Sequence, residues 1–139
     1  MKKIAITQRL IDNDSYKEIR ETLDINWGKI FSQMNFLPIV LPYEIDFKIY
    51  FKKLKIDGVI LSGGNDLDSL NPNNLSSKRD AYEKDLIQFV ISRNIPLFGV
   101  CRGMQIIGSY FRVKLKPVKN HVNTLHTIYS NKKKIKVNS

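Results

Sequence analysis

Two short runs, Gly58-Val59-Ile60-Leu61-Ser62 and Pro96-Leu97-Phe98-Gly99-Val100, are apolar almost throughout, and each follows an amphipathic stretch. A strand without polar alternation must be covered on both faces, which is the condition of a parallel sheet. Ile4-Ala5-Ile6-Thr7 and Leu37-Pro38-Ile39-Val40-Leu41 read as two further strands, with Pro38 at an edge or entry position. Helices are expected between them. One runs from Asp14, where Ser15 and Glu18 stand in capping-box spacing, to about Met34, with a break near Trp27-Gly28. A second covers residues 47–54, and a third carries Tyr82, Leu86, Phe89 and Val90 on one stripe. The last runs from Gly103 to about Phe111. Regular alternation of strand and helix calls for an α/β fold, a parallel sheet flanked by helices. Beyond Arg112 the pattern changes to short apolar pieces at residues 113–118, 127–129 and 135–137. These are expected to form an antiparallel extension, with Asn131-Lys132-Lys133 as a hairpin turn.

A chain of 139 residues with 42% hydrophobic content suits one domain with a real core. Its one cysteine excludes an intramolecular disulfide and a thiolate zinc site, so no metal or cofactor is expected. No apolar run reaches the roughly 18 residues of a membrane span. The apolar stretch after Met1-Lys2-Lys3 stops at Gln8-Arg9, short of an export signal. A cytoplasmic protein is the expectation. The net charge of +10 is unevenly placed. Acidic and basic residues cancel up to Asp85, and from Arg93 to Lys136 there are only basic ones. No aromatic-interleaved basic helix or nucleic-acid motif accompanies them, so neither a nucleic-acid nor a membrane partner is expected. A surface binder using Lys132-Lys133-Lys134 is the weakest alternative, marked by binding that falls steeply with salt.

In parallel sheets, sites lie beyond the carboxyl ends of the strands. Gly99-Val100-Cys101-Arg102-Gly103 puts the cysteine just past a buried strand and at the mouth of a helix. This is the strand–turn–helix logic of a nucleophile elbow with sulfur in place of oxygen. Flanking glycines suit so sharp a turn, and a helix N-terminus favours the thiolate form. The Arg102 amide would point toward an oxyanion on the attacked carbonyl. Ser62-Gly63-Gly64-Asn65-Asp66, at the end of the neighbouring strand, is either a plain tight turn or a second amide donor to that oxyanion.

Three motifs in order carry a resemblance: Gly58-Val59-Ile60-Leu61-Ser62-Gly63-Gly64-Asn65-Asp66, Arg79-Asp80-Ala81-Tyr82-Glu83, and Pro96-Leu97-Phe98-Gly99-Val100-Cys101-Arg102-Gly103-Met104-Gln105. Together they resemble the class I glutamine amidotransferase domains, and within them the branch of gamma-glutamyl hydrolases acting on amides such as gamma-glutamyl-GABA. The opening Ile4-Ala5-Ile6-Thr7-Gln8-Arg9-Leu10 fits that branch. Overall similarity runs close to the hydrolases of bacterial capsular phosphoramidate synthesis. The resemblance implies a flavodoxin-like sheet and hydrolysis of a gamma-glutamyl amide, a small-molecule substrate, with release of glutamate. It implies Cys101 as nucleophile and the backbone amides of Gly64 and Arg102 as oxyanion hole. Gly63, Gln105 and His126 would line the glutamyl pocket. The oligomeric state and the amine released are left open.

The chain departs from the family where a histidine base, oriented by a glutamate, is required near the C-terminus. Its only histidines are His121 and His126, and no acid follows Asp85. Val137-Asn138-Ser139 resembles the opening of the family's Val-Asn-Ser-x-His segment. The expectation is one domain over residues 1–139, incomplete at its C-terminus, with little hydrolysis and marginal stability in this form. Two other readings compete: a glutaminase subunit handing ammonia to a synthase, and a binding module without turnover. Cys101-dependent release of glutamate separates enzyme from module.

Overall fold

The computed structural model describes residues 1–118, 125–130 and 133–138. Four parallel strands form the central sheet: β1 (Lys2–Ile6), β4 (Phe36–Val40), β5 (Gly58–Leu61) and β6 (Leu97–Gly99), in the order β4-β1-β5-β6. Its register is set by pairs such as Ala5 opposite Val59 and Ile60 opposite Phe98. The helices are α1 (Asn26–Gln33), α2 (Lys48–Lys53), α3 (Asn74–Ile91) and α4 (Arg102–Tyr110). The parallel sheet is the one expected from the apolar runs, and its order is the flavodoxin-like arrangement that the resemblance implies.

Alternation along the strands divides the core in two. Ala5, Val59 and Leu61 pack with Phe47 before α2, with Leu86, Ile87 and Val90 of α3 and with Ile106 of α4. Ile4 and Ile6 point the other way and meet Phe31 and Trp27 of α1, with Ile60 beside them. Side chains two apart share a face, so a single register places both layers. Phe98 falls on the side of Ile60 but is 64% exposed, because β6 is the edge of the sheet among the described residues. Full cover on both faces, expected for this run, therefore does not extend to β6.

Two expectations fail. Residues 14–25 are not helical: β2 (Arg9–Asp12) and β3 (Ile19–Thr22) form an antiparallel hairpin, and α1 begins only at Asn26, running unbroken through Trp27-Gly28. Glu18 does not close a capping box with Ser15. It pairs on the surface with Arg20, which holds its carboxyl below the usual carboxylate range. The hairpin is held from a distance: Asn65 accepts from the Leu10 amide (3.0 Å) and donates to the Leu10 carbonyl (2.7 Å). That tie spans 55 residues, so no local pattern announces it.

Residues 113–118 are not a strand either. After α4 the chain closes with Arg112 at φ 59°, its amide bonding the Ser109 carbonyl and the Val113 amide bonding that of Gly108. This left-handed stop ends the helix and carries the chain off, with no strand partner for residues 113–118 among the described residues. The antiparallel extension does occur, as β7 (Leu125–Ser130) paired with β8 (Lys133–Asn138). Of the expected turn, Asn131 and Lys132 lie outside the described residues, and Lys133 is not a turn residue but the first of β8, opposite Ser130.

Two substitutions test this packing. Leu86 is fully buried, and Leu86→Ala should lower the unfolding free energy by about 2–5 kcal/mol, read from the denaturant midpoint. At Gly103 a methyl group would lie 2.0 Å from the Leu61 carbonyl oxygen, so Gly103→Ala must push α4 off β5. Backbone cannot yield as a side-chain tip does, and a loss of about 1–3 kcal/mol or more is expected in the same assay.

Candidate functional site

Cys101 sits between β6 and α4, as the residue that caps the helix, with φ 52° and ψ −110°. This is a strained conformation for a residue with a Cβ. Its neighbours allow it by lacking side chains. A methyl on Gly99 would lie 2.4 Å from the Gly103 backbone, and one on Gly103 would strike Leu61. The elbow is pinned by the Val100 amide on the Leu61 carbonyl (3.0 Å), and the Cys101 carbonyl accepts the first amide of the helical turn, from Met104 (3.0 Å). The Cys101 side chain makes no capping bond and is exposed. Arg102 is the first residue of α4, where a backbone N–H has no carbonyl within the helix to bond. Gln105, half-buried, stands in the first turn.

The Gly63-Gly64 loop leaves β5 beside this elbow. A methyl placed on Gly63 would sit 3.3 Å from the Cys101 Cβ and 3.9 Å from its Sγ. Gly64 adopts φ +78°, and a methyl there would meet Arg9 at 2.9 Å. The structure thus brings Gly63, Gly64, Cys101, Arg102 and Gln105 to one end of the sheet. His126 belongs to β7, but its side chain lies outside the described residues, as does all of His121. Among the described residues no group of His, Cys, Asp and Glu could hold a metal ion.

Beneath loop and elbow lies a buried ionic cluster formed by Arg79, Asp80 and Glu83 of α3 with Arg102 of the elbow. Arg79, Glu83 and Arg102 are at most 1% exposed, and Asp80 is 5% exposed. Arg79 donates to the carbonyls of Ser62 (2.8 Å), Gly63 (3.0 Å) and Gly64 (2.7 Å), and to Asn65 Oδ1 (3.1 Å). Its Nε reaches Glu83 Oε1 at 3.1 Å, where Thr7 Oγ1 also donates at 2.8 Å. The Arg102 guanidinium bonds Glu83 and Asp80. Asp80 in turn accepts from the Asp68 amide (3.2 Å). Buried charges persist only when paired and hydrogen-bonded in this way.

The signal was available in part. Arg79 and Glu83 stand four apart on one helix, a spacing at which side chains meet. What they do for the loop depends on contacts 15 to 17 residues away. Tyr43 stands beside the cluster and donates to the Gln8 carbonyl (2.6 Å). Burial, with the charge of Glu83 adding to it, pushes its phenol far above the ordinary range and keeps it a neutral donor. Burial does the same to Tyr82, whose ring packs against that of Tyr43.

An exposed cysteine on a strained turn, beside a glycine loop and the start of a helix, is equipped to attack an acyl carbon and to meet the resulting oxyanion with backbone amides. Comparison with known proteins gives the family. The gamma-glutamyl-CDP-amidate hydrolase of Campylobacter jejuni is 51% identical over 139 residues, covering 98% of this chain and 68% of the relative. A putative glutamine amidotransferase of Schizosaccharomyces pombe is 37% identical over 65 residues, 40% of this chain and 26% of the relative. A putative glutamine amidotransferase-like protein of Rickettsia prowazekii is 28% identical over 109 residues, 70% of this chain and 38% of the relative. The Peptidase C26 family matches residues 4–139, and with the elbow, the glycine loop and the sheet order in place, the chain belongs to that family.

Proposed function

We propose that the chain hydrolyses a gamma-glutamyl amide through a thioester on Cys101, with gamma-glutamyl-CDP-amidate as the substrate. The observation that carries this reading is the Cys101 conformation, φ 52° and ψ −110°, at the mouth of α4, with the glycine loop close enough that a methyl on Gly63 would touch the Cys101 side chain. Half-identity across 98% of the chain to a hydrolase of that substrate supports the narrower assignment.

In this mechanism the Cys101 sulfur attacks the gamma-carbonyl carbon and the π electrons move onto oxygen. The amides of Gly64 and Arg102 receive that oxyanion. Collapse breaks the C–N bond and the amine leaves with a proton. Water then attacks the thioester, releasing glutamate and restoring the thiol. Gly63 and Gln105 flank the glutamyl group, and His126 is assigned to the same pocket. The thiol proton must be taken up and then delivered to the leaving amine; His121 and His126 are the chain's two histidines, and no acid follows Asp85 to orient either of them.

Incubation with the gamma-(4-nitrophenyl) ester of glutamate, whose leaving group needs no acid, is expected to give a glutamyl adduct on Cys101 by intact mass, and none in Cys101→Ala. Binding of the ester without an adduct would make the chain a binding module. Toward a gamma-glutamyl amide, the 139-residue chain should turn over about 10⁴–10⁶ times more slowly than an enzyme with its full base unit, because members of such a unit act together. Fast release of glutamate, lost in His121→Ala or His126→Ala, would overturn that expectation and identify the base.

A further inference from the structure

A single guanidinium, Arg79, grips three consecutive carbonyls of the loop beside Cys101 and is itself wholly buried. A peptide unit is planar and trans, so fixing a carbonyl fixes the following N–H in the opposite direction. With the Gly63 carbonyl drawn to Arg79 at 3.0 Å, the Gly64 N–H is turned away from the guanidinium. With the Gly64 carbonyl drawn at 2.7 Å, the Asn65 N–H is turned likewise. Gly64 lacks a Cβ and has φ +78°, so the flipped peptide would be open to it on steric grounds. Something other than backbone preference must choose between the two orientations, and Arg79 makes that choice.

The same cluster reaches the elbow. Glu83 accepts from Arg79 on one oxygen and from Arg102 on the other, and Arg102 follows the cysteine directly. Loop and elbow are therefore tied through one carboxylate. Lysine could keep the charge at position 79, but it is a point donor that cannot hold three carbonyls in a planar fork.

We propose that Arg79 is the positioning residue of this site: its bonds to the carbonyls of Ser62, Gly63 and Gly64 aim the Gly64 N–H toward the acyl oxygen above Cys101, and Glu83 sets the distance from that loop to the elbow. The proposal rests on Cys101 being an acyl acceptor. Arg79 touches no reacting atom and acts through the loop.

The test compares two reactions of the same thiol in the 139-residue chain. Acylation by the gamma-(4-nitrophenyl) ester of glutamate, followed as the burst of nitrophenolate, develops an oxyanion. Alkylation by iodoacetamide develops none. Arg79→Lys is expected to slow the burst about 10²-fold, the scale for losing one preorganised donor, while changing the alkylation rate less than about threefold. A burst of undiminished rate in Arg79→Lys overturns the proposal. So does an equal fall in both reactions, which would mean that the elbow itself has collapsed. A wild-type chain that is alkylated at Cys101 but shows no burst overturns the acyl-acceptor reading, and the positioning role with it.

A measurement on the wild-type chain covers the case in which Arg79→Lys does not fold. In the ¹H–¹⁵N spectrum, the Gly64 amide proton is expected to move downfield when Cys101 is acylated. A Gly64 resonance that stays in place while the adduct forms overturns the proposal.

Discussion

The carboxylate of Glu83 is the point on which the site end of this molecule depends. It is wholly buried, and it receives Thr7 from the end of β1, Arg79 from its own helix and Arg102 from the elbow. Three segments far apart in the chain thereby meet at one charge. Removing a member of such a cluster leaves an unpaired charge in a medium that solvates it poorly, at a cost of about 3–5 kcal/mol. Replacing the whole cluster by apolar residues would not carry that cost, but it would release the carbonyls of residues 62–64. Stability alone does not call for two buried arginines here; holding a loop in one orientation does.

The elbow shows the complementary use of absence. Cys101 can hold φ 52° because Gly99 and Gly103 leave room for strand and helix to close to contact, with 2.0 Å between a hypothetical methyl on Gly103 and the Leu61 oxygen. Glycine at 63 leaves the space beside the Cys101 Cβ open, and glycine at 64 lets the chain turn at positive φ. Close approach of β5, its loop and α4 is thus written as missing Cβ atoms. The buried ionic cluster then fixes by hydrogen bonding what the glycines leave free.

Local pattern was a good guide wherever an element's own neighbours decide its state. The apolar runs at 58–62 and 96–100 became β5 and β6, and the stripe of Tyr82, Leu86, Phe89 and Val90 became part of α3. It misled where a distant partner decides. Residues 9–22 carry a capping-box spacing and still form a hairpin, whose first strand Asn65 brackets at the buried Leu10. Residues 113–118 carry short apolar pieces and pair with no strand among the described residues, since the helix before them ends in a left-handed turn at Arg112.

The sequence by itself determined the parallel α/β architecture, the cysteine at a strand–helix junction and the family. Hydrophobic period and glycine placement act through neighbours a few residues away, and these are visible in a linear chain. Only the tertiary structure decided what Arg79, Asp80 and Glu83 are for. In the sequence they stand only as a motif of the resemblance, with nothing to say that Arg79 and Glu83 are fully buried. A buried charge is tolerable only where partners converge on it, and those partners come from the residue after β1, the β5 loop and the elbow. Convergence of that kind is a property of the folded chain, and no spacing within the helix encodes it.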